Sequence, residues 1–248
     1  MIPKPATLYC WRVARLRVIR PAGWWPDAAL AVAVAAVTLA LAAGAFLGWD
    51  LAVRDWSEAH RPHALAVLAT AGNLLGRGGY LAELALVLAL LLAWRRHSVR
   101  PVLPVGLGFV LTFGVLTPLK AWTDRAAPHA FAVPHPERLG SGGVSYPSGH
   151  LTNAIVWYGV LALLLSAWLP ALWRRAVRVA PPVVLCFTTV YLGFHWLTDT
   201  VAGLLVGVLL DRIMRRVPWD DLPLGRHLQK AGWDRPAVDA RRRGTQLD

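Results

Sequence analysis

The sequence predicts an all-α, polytopic membrane protein built as a bundle of six transmembrane helices. Three observations carry that expectation. Of 248 residues, 56% are hydrophobic and only 16% charged, whereas soluble domains carry about a quarter charged residues. The apolar residues gather into six runs, and a bilayer core some 30 Å thick asks for roughly 17–25 such residues per helix. The basic residues lie between those runs, unevenly on the two sides. This composition excludes an ordinary cytosolic enzyme and a disordered chain. Two cysteines, Cys10 and Cys186, are too few for a disulfide framework and read as free thiols. The net charge of +12 leaves a nucleic-acid binder open until the cations are placed.

Taken in order, the runs are Ala28–Trp49, Tyr80–Trp94, Pro101–Leu119, His150–Leu169, Val179–Leu197 and Thr200–Met214. The first begins late, after a 27-residue basic segment, and lacks a small-x-small cleavage site. It reads as a retained span, not a signal peptide. The second is short, and the apolar stretch Ala64–Leu75 before it either lengthens that helix or bends into it through Gly72, Gly76, Gly78 and Gly79. Glu83 is the acidic oddity of the second run and reads as interfacial, paired with Arg77, or lining a lipid entry. Residues 217–248 mix Pro, Gly and both charges without apolar periodicity and read as a flexible tail. The domain division is therefore 1–27, a six-span unit over 28–216, and 217–248.

Short cytoplasmic loops carry the Lys/Arg excess of a membrane protein. Six spans put both termini on one side, together with Arg95, Arg96, Arg100, Arg174, Arg175 and Arg178; that side holds 20 of the 26 basic residues. The opposite side keeps Arg54, Arg61, Arg77, Lys120, Arg125 and Arg138. The expectation is a multi-pass plasma-membrane protein with cytoplasmic termini. The charge is mostly a topology signal, and no nucleic acid is needed to explain it. Only three lysines, beside abundant Ala and Arg, suggest a GC-rich bacterial genome.

Two outer segments carry chemistry: Lys120–His150 and the joint Tyr191–Asp199. Polar clusters at a membrane edge are functional candidates by default. Ser148-Gly149-His150 opens the fourth run after Pro147, and a helix start offers unpaired N–H groups to an anion. Gly149 permits close backbone approach, and Ser148 can cap the helix or bond an oxyanion. An N-cap followed by an interfacial His explains the same letters equally well. His195 and Asp199 stand four apart, on one face if that stretch is helical. A carboxylate on one ring nitrogen would leave the other free to attack or to take a proton, although such a spacing also arises as a simple capping pair. Lys120 and Arg125 supply cations for phosphoryl chemistry, or contacts to lipid headgroups. No array of ligand spacing such as HExxH occurs, so neither metal nor other cofactor is expected.

These residues resemble the type 2 phosphatidic acid phosphatase family, whose pattern has three blocks, K-x6-R-P, P-S-G-H and S-R-x5-H-x3-D. Pro147-Ser148-Gly149-His150 matches the second block in full. His195 and Asp199 match the end of the third, and Lys120 and Pro128 match the ends of the first. The resemblance covers roughly residues 28–214. It implies a six-span fold with an outward-facing site that acts on a lipid phosphate in the bilayer without a metal. By this resemblance His195 is the nucleophile that forms a phosphohistidine, Asp199 orients it, and His150 is the general acid. Lys120, Ser148 and the Gly149 backbone hold phosphate oxygens.

Two departures stand out. The first-block arginine falls at Ala127, and the third-block Ser-Arg falls at Thr188-Thr189. Arginine's planar fork makes paired bonds to phosphate that neither Ala nor Thr can reproduce, and losing one such donor costs about 2.7–4 kcal/mol at the transition state. Arg125, two residues before the first gap, is the expected replacement, with Arg77 beside Gly76 and Gly78 as a second candidate; Arg138 also lies on the outer side. Three functions follow: a lipid phosphate or pyrophosphate phosphatase, a phosphotransferase to an acceptor other than water, and a non-catalytic lipid-binding or lipid-moving protein.

Overall fold

The computed structural model describes residues 18–130 and 132–224, together with Leu16 and Trp233. Cys10, the first basic cluster up to Arg15, Arg17, and most of the expected tail, including Arg241–Arg243, lie outside the described residues. Eight α-helices and no strand occur among the described residues: α1 Trp25–Ala42, α2 Leu47–Ala59, α3 His63–Asn73, α4 Gly78–Arg96, α5 Val102–Thr123, α6 Gly149–Leu164, α7 Ala171–Tyr191 and α8 Leu197–Arg216. A 3-10 turn, Leu74–Gly76, joins α3 to α4.

Three helices, α1, α4 and α5, are long and apolar enough to cross a membrane. Their exposed faces carry Val32, Leu39, Leu84, Val87, Leu90, Val110 and Phe113, with Trp24, Trp94 and Trp122 at their ends. Bilayer helices show this pattern of apolar sides with aromatic residues at the interfaces. The other three expected runs are helical but of a different character. Helix α6 has 16 residues, twelve of them buried, because it runs through the middle of the bundle. Trp157 at its centre is 1% exposed and packs edge-on against Phe109 of α5 at 4.8 Å. Helix α7 starts eight residues before the expected run and takes Arg174, Arg175 and Arg178 into its first turns. The first two helices also depart from expectation. The run expected to end at Trp49 stops at Ala42, because Gly44 and Phe46 adopt positive φ (84° and 67°) and α2 sets off as a separate helix.

The two ends of the bundle differ in chemistry. At one end, Asp27 of α1 pairs with Arg212 (2.6 Å) and with Arg216 of α8, and Asp211 pairs with Arg178 (2.5 Å) and Arg215 (2.9 Å). Arg100 donates to the carbonyls of Trp219 and Leu222, both at 3.0 Å. Trp219, expected within a flexible tail, is therefore held in place and is 3% exposed against Leu16 and Leu163. The opposite end gathers the starts of α4, α6 and α8 with the end of α5.

Candidate active site

Residues 124–130 and 132–148, between α5 and α6, are folded down onto the bundle. Asp124 reverses the chain at φ 44°, and backbone bonds from Gly140 to Thr123, Gly142 to Asp124 and Ser145 to Arg125 hold the return path. Tyr146 is fully buried. Thr38 gives its hydroxyl proton to the Val34 carbonyl, so the Tyr146 phenol is the donor in their 2.7 Å contact. Burial raises that phenol above its ordinary pKa and keeps it protonated.

The starts of α6 and α8 meet at backbone distance. Ser148 N–H donates to the Asp199 carbonyl at 2.9 Å. A Cβ at Gly203 would stand 2.7 Å from the Ser148 carbonyl oxygen, so only glycine lets the two helices approach this closely. Ser148 caps α6 by accepting from Leu151 N–H at 3.4 Å. Gly149 and His150 follow in the first turn, where helix geometry gives their N–H groups no intrahelical acceptor.

His195 lies just ahead of α8, not within it, and Asp199 in the first turn of α8 reaches back. The carboxylate accepts Trp196 N–H at 3.0 Å, a favourable place for negative charge beside a helix N-terminus. It stands 3.7 Å from His195 Nδ1, too far for a hydrogen bond. Ser145 closes that gap: its hydroxyl donates to Asp199 Oδ2 at 2.5 Å and lies 3.2 Å from His195 Nδ1. With its proton committed to the carboxylate, the Ser145 oxygen accepts from Nδ1–H. This tautomer leaves a lone pair on Nε2, which faces Nδ1 of His150 at 3.3 Å. The two rings meet at 70°, and Phe194 stacks on His150 with centroids 6.0 Å apart.

A cavity of about 530 Å³ opens over the histidines, lined among others by Lys120, Gly149, His150, His195, Asn153 and Arg77. Of the residues expected from sequence, Lys120, Gly149, His150 and His195 thus share one cavity. Lys120 donates to the carbonyls of Val144 and Pro147, the latter at 2.9 Å, leaving one of its three N–H groups for a ligand. Ser148 and Asp199, both fully buried, lie beneath the cavity floor. Ala127, where the resemblance expects an arginine, lines the cavity. Thr189, the other such position, is buried and donates to the Leu185 carbonyl at 2.6 Å.

Arg125 corrects the sequence expectation. Its position in the sequence makes it the candidate phosphate-binding cation, yet its side chain is 0% exposed and lines no part of the cavity. Nη1 donates to Asp199 Oδ1 (2.6 Å) and Thr198 Oγ1 (2.7 Å). Nη2 donates to Asp50 Oδ2 (2.6 Å) and the Glu137 carbonyl (2.7 Å), and Nε donates to that carbonyl at 2.9 Å. All five guanidinium N–H groups are engaged, and Trp196 covers one face of the plane at 5.2 Å. Asp50 of α2 also accepts Thr198 N–H at 2.9 Å. The network Asp50–Arg125–Asp199 is a foundation under His195. Glu83 is exposed on α4, while Arg77 lies over the Tyr80 ring at 5.8 Å.

Sequence reasoning missed Ser145, Asn153 and Asp50. Asn153 follows His150 by three residues, so helical spacing alone puts it over the same turn. Ser145 and Asp50 have no such signal, since their partners lie 54 and 75 positions away.

The site of this all-helical membrane protein is thus a histidine pair at two helix starts, over a buried carboxylate and beside a lysine. Residues 101–222 match the PAP2 superfamily. Phosphatidylglycerophosphatase B of Bacillus subtilis (strain 168) is 33% identical over 42% of this chain and 54% of its own length. Undecaprenyl-diphosphatase of Sulfolobus acidocaldarius is 38% identical over 25% of this chain and 28% of its own. The matched part thus spans about half or less of these curated relatives. The crystal structure of a transmembrane PAP2 type phosphatidylglycerolphosphate phosphatase from Bacillus subtilis shares the fold, with TM-score 0.65 and 24% identity over 77% of this chain and 94% of that one.

Proposed function

We propose that the chain is a membrane lipid phosphate phosphatase that works through a phosphohistidine on His195. One observation carries this reading: Nε2 of His195 meets Nδ1 of His150 at 3.3 Å, with the other His195 ring nitrogen held by Ser145, in a cavity that also presents Lys120 and the open N–H groups of α6. The names of the relatives support a lipid phosphate or diphosphate as substrate. The uneven charge of the two sides supports an outward-facing site in a bacterial plasma membrane, with cytoplasmic termini and a membrane unit over residues 28–216.

In the first step the Nε2 lone pair attacks phosphorus, a P–N bond forms and the bond to the leaving oxygen breaks. His150, protonated once the negative phosphate stands beside it, gives its proton to that oxygen. Asp199, through Ser145, steadies the positive charge growing on the His195 ring. Water then attacks phosphorus and His150 takes its proton. The P–N electrons return to His195, and phosphate departs. Lys120 and the Gly149 N–H stabilise the nonbridging oxygens, with Ser148 shaping the turn from below. A reacting phosphorus about 3–3.5 Å from Nε2 cannot fit inside a 3.3 Å contact between the rings. Substrate therefore displaces the His150 ring on binding.

The test is phosphate release from a panel of lipid phosphates by purified protein, beside His195→Ala and His150→Ala. His195→Ala abolishes release, and His150→Ala lowers turnover by about 10²–10⁴-fold. Equal release by wild type and His195→Ala would sink the reading. Appearance of the phosphoryl group on an added alcohol instead of water would make the chain a phosphotransferase. A wild type that binds lipid and releases nothing would make it a binding protein.

A further inference from the structure

The cavity lacks arginine at both positions where the family pattern carries one, and Arg125, the nearest in sequence, is locked beneath it. Arg77 lies in the cavity wall. It ends the 3-10 turn Leu74–Gly76 and immediately precedes α4, and it lines the same cavity as His150, His195 and Lys120. Its guanidinium lies over the face of Tyr80, and among the described residues its side chain makes no hydrogen bond or ion pair, which leaves the N–H groups on the guanidinium edge for a ligand. Lys120 has a single N–H to give, so paired bonds to a phosphate need this second cation.

The backbone around Arg77 is shaped to bring it there. A Cβ at Gly76 would stand 2.8 Å from Leu185 Cδ2 and 3.3 Å from the Cβ of His150. A Cβ at Gly78 would meet Asn153 at 2.8 Å. Gly78 lets this turn press against Asn153 of α6, Gly76 keeps it close to Leu185 of α7 and to His150, and the arginine between them is delivered beside the histidines. Asn153 Oδ1 accepts from Trp157 Nε1 at 3.2 Å, which turns its NH₂ toward the same space.

We infer that Arg77 is the phosphate-binding arginine of this site, supplying from the start of α4 the fork that Ala127 and Thr189 do not provide. As a catalytic residue it rests on the phosphatase reading above; as an anion ligand it stands apart from it. The ligand is a phosphate group, whether borne by a lipid or free, and the experiment treats the two separately.

Full-length protein in lipid nanodiscs is compared as wild type, Arg77→Ala, Arg77→Lys and Arg138→Ala, the last an exposed arginine outside the cavity. Binding of inorganic phosphate is measured by calorimetry, release from a lipid phosphate by kcat and KM, and folding by thermal unfolding. Arg77→Ala is expected to weaken inorganic phosphate binding by about tenfold and to lower kcat/KM by about 10²–10³-fold, with unfolding unchanged. Arg77→Lys recovers part of both, and Arg138→Ala matches wild type. Arg77→Ala equal to wild type within twofold in both binding and turnover overturns the inference. Wild type that binds phosphate through Arg77 yet releases none from any lipid supports the inference and refutes the phosphatase reading. Wild type that neither binds millimolar phosphate nor releases it from lipid overturns both.

Discussion

Replacing Arg125 with alanine separates a buried foundation from a phosphate ligand. The guanidinium is fully buried between Asp50 and Asp199, 2.6 Å from each carboxylate. Its removal leaves two buried carboxylates without their cation and frees the Glu137 carbonyl. Taking one partner from a buried ion pair costs about 3–5 kcal/mol. For a chain of this size each kcal/mol lowers the unfolding midpoint by about 2–4 °C, so the expected fall is about 6–20 °C. Arg125→Lys lands between, because one ammonium cannot span both acids with the fork's geometry. Adding Asp50→Asn to Arg125→Ala removes one of the stranded charges and recovers part of the loss, a coupling of about 0.5–3 kcal/mol. The assay is thermal unfolding of detergent-purified protein, read by near-ultraviolet circular dichroism from its many tryptophans. Were Arg125 a phosphate ligand, the alanine variant would keep its midpoint and lose only turnover. An unfolding midpoint within about 2 °C of wild type would refute the buried-network reasoning.

Two further substitutions probe the same end of the bundle. Ser145→Ala deletes the link between His195 Nδ1 and the Asp199 carboxylate, and a hydrogen bond to a charged group contributes about 1.5–3 kcal/mol. Steady-state kinetics should therefore show kcat reduced about 10- to 100-fold with the unfolding midpoint nearly unchanged; wild-type kcat would show that Asp199 orients the ring directly. Gly203→Ala drives a methyl group into the backbone of Ser148 and costs about 1–3 kcal/mol by overpacking. Stability and turnover should fall together, and a variant like wild type in both would mean that the starts of α6 and α8 need not meet so closely.

How far the sequence can be read here depends on whether a feature is local. The apolar runs of α4 and α5 emerge as helices within a few residues of their expected ends, because hydropathy is a property of consecutive residues. His150, His195, Lys120 and Gly149 are legible through motif spacing, and the structure brings them around one cavity. The end of the first span is not legible, since Leu47-Gly48-Trp49 continues the apolar run and the break depends on backbone angles at Gly44 and Phe46. Nor is the start of α7: Arg174, Arg175 and Arg178 read as a loop, but Arg178 finds Asp211, and Arg174 finds the carbonyls of Ser166 and Leu169. Arg125 shows the limit most clearly. Its nearness in sequence to the gap at Ala127 suggested a phosphate ligand. Its direction was decided instead by Asp50, in a helix whose existence the sequence did not reveal.

The central claim is that His195 carries the phosphoryl group, and trapping it tests this most directly. Protein mixed with a lipid bearing labelled phosphate is quenched within milliseconds, in base to preserve a P–N bond and in acid to cleave it, and the label on the protein is counted. The account expects base-stable, acid-labile label on the wild type that accumulates when His150 is replaced, and none on His195→Ala. Label that survives acid, or His195→Ala protein that still releases phosphate at the wild-type rate, would contradict it.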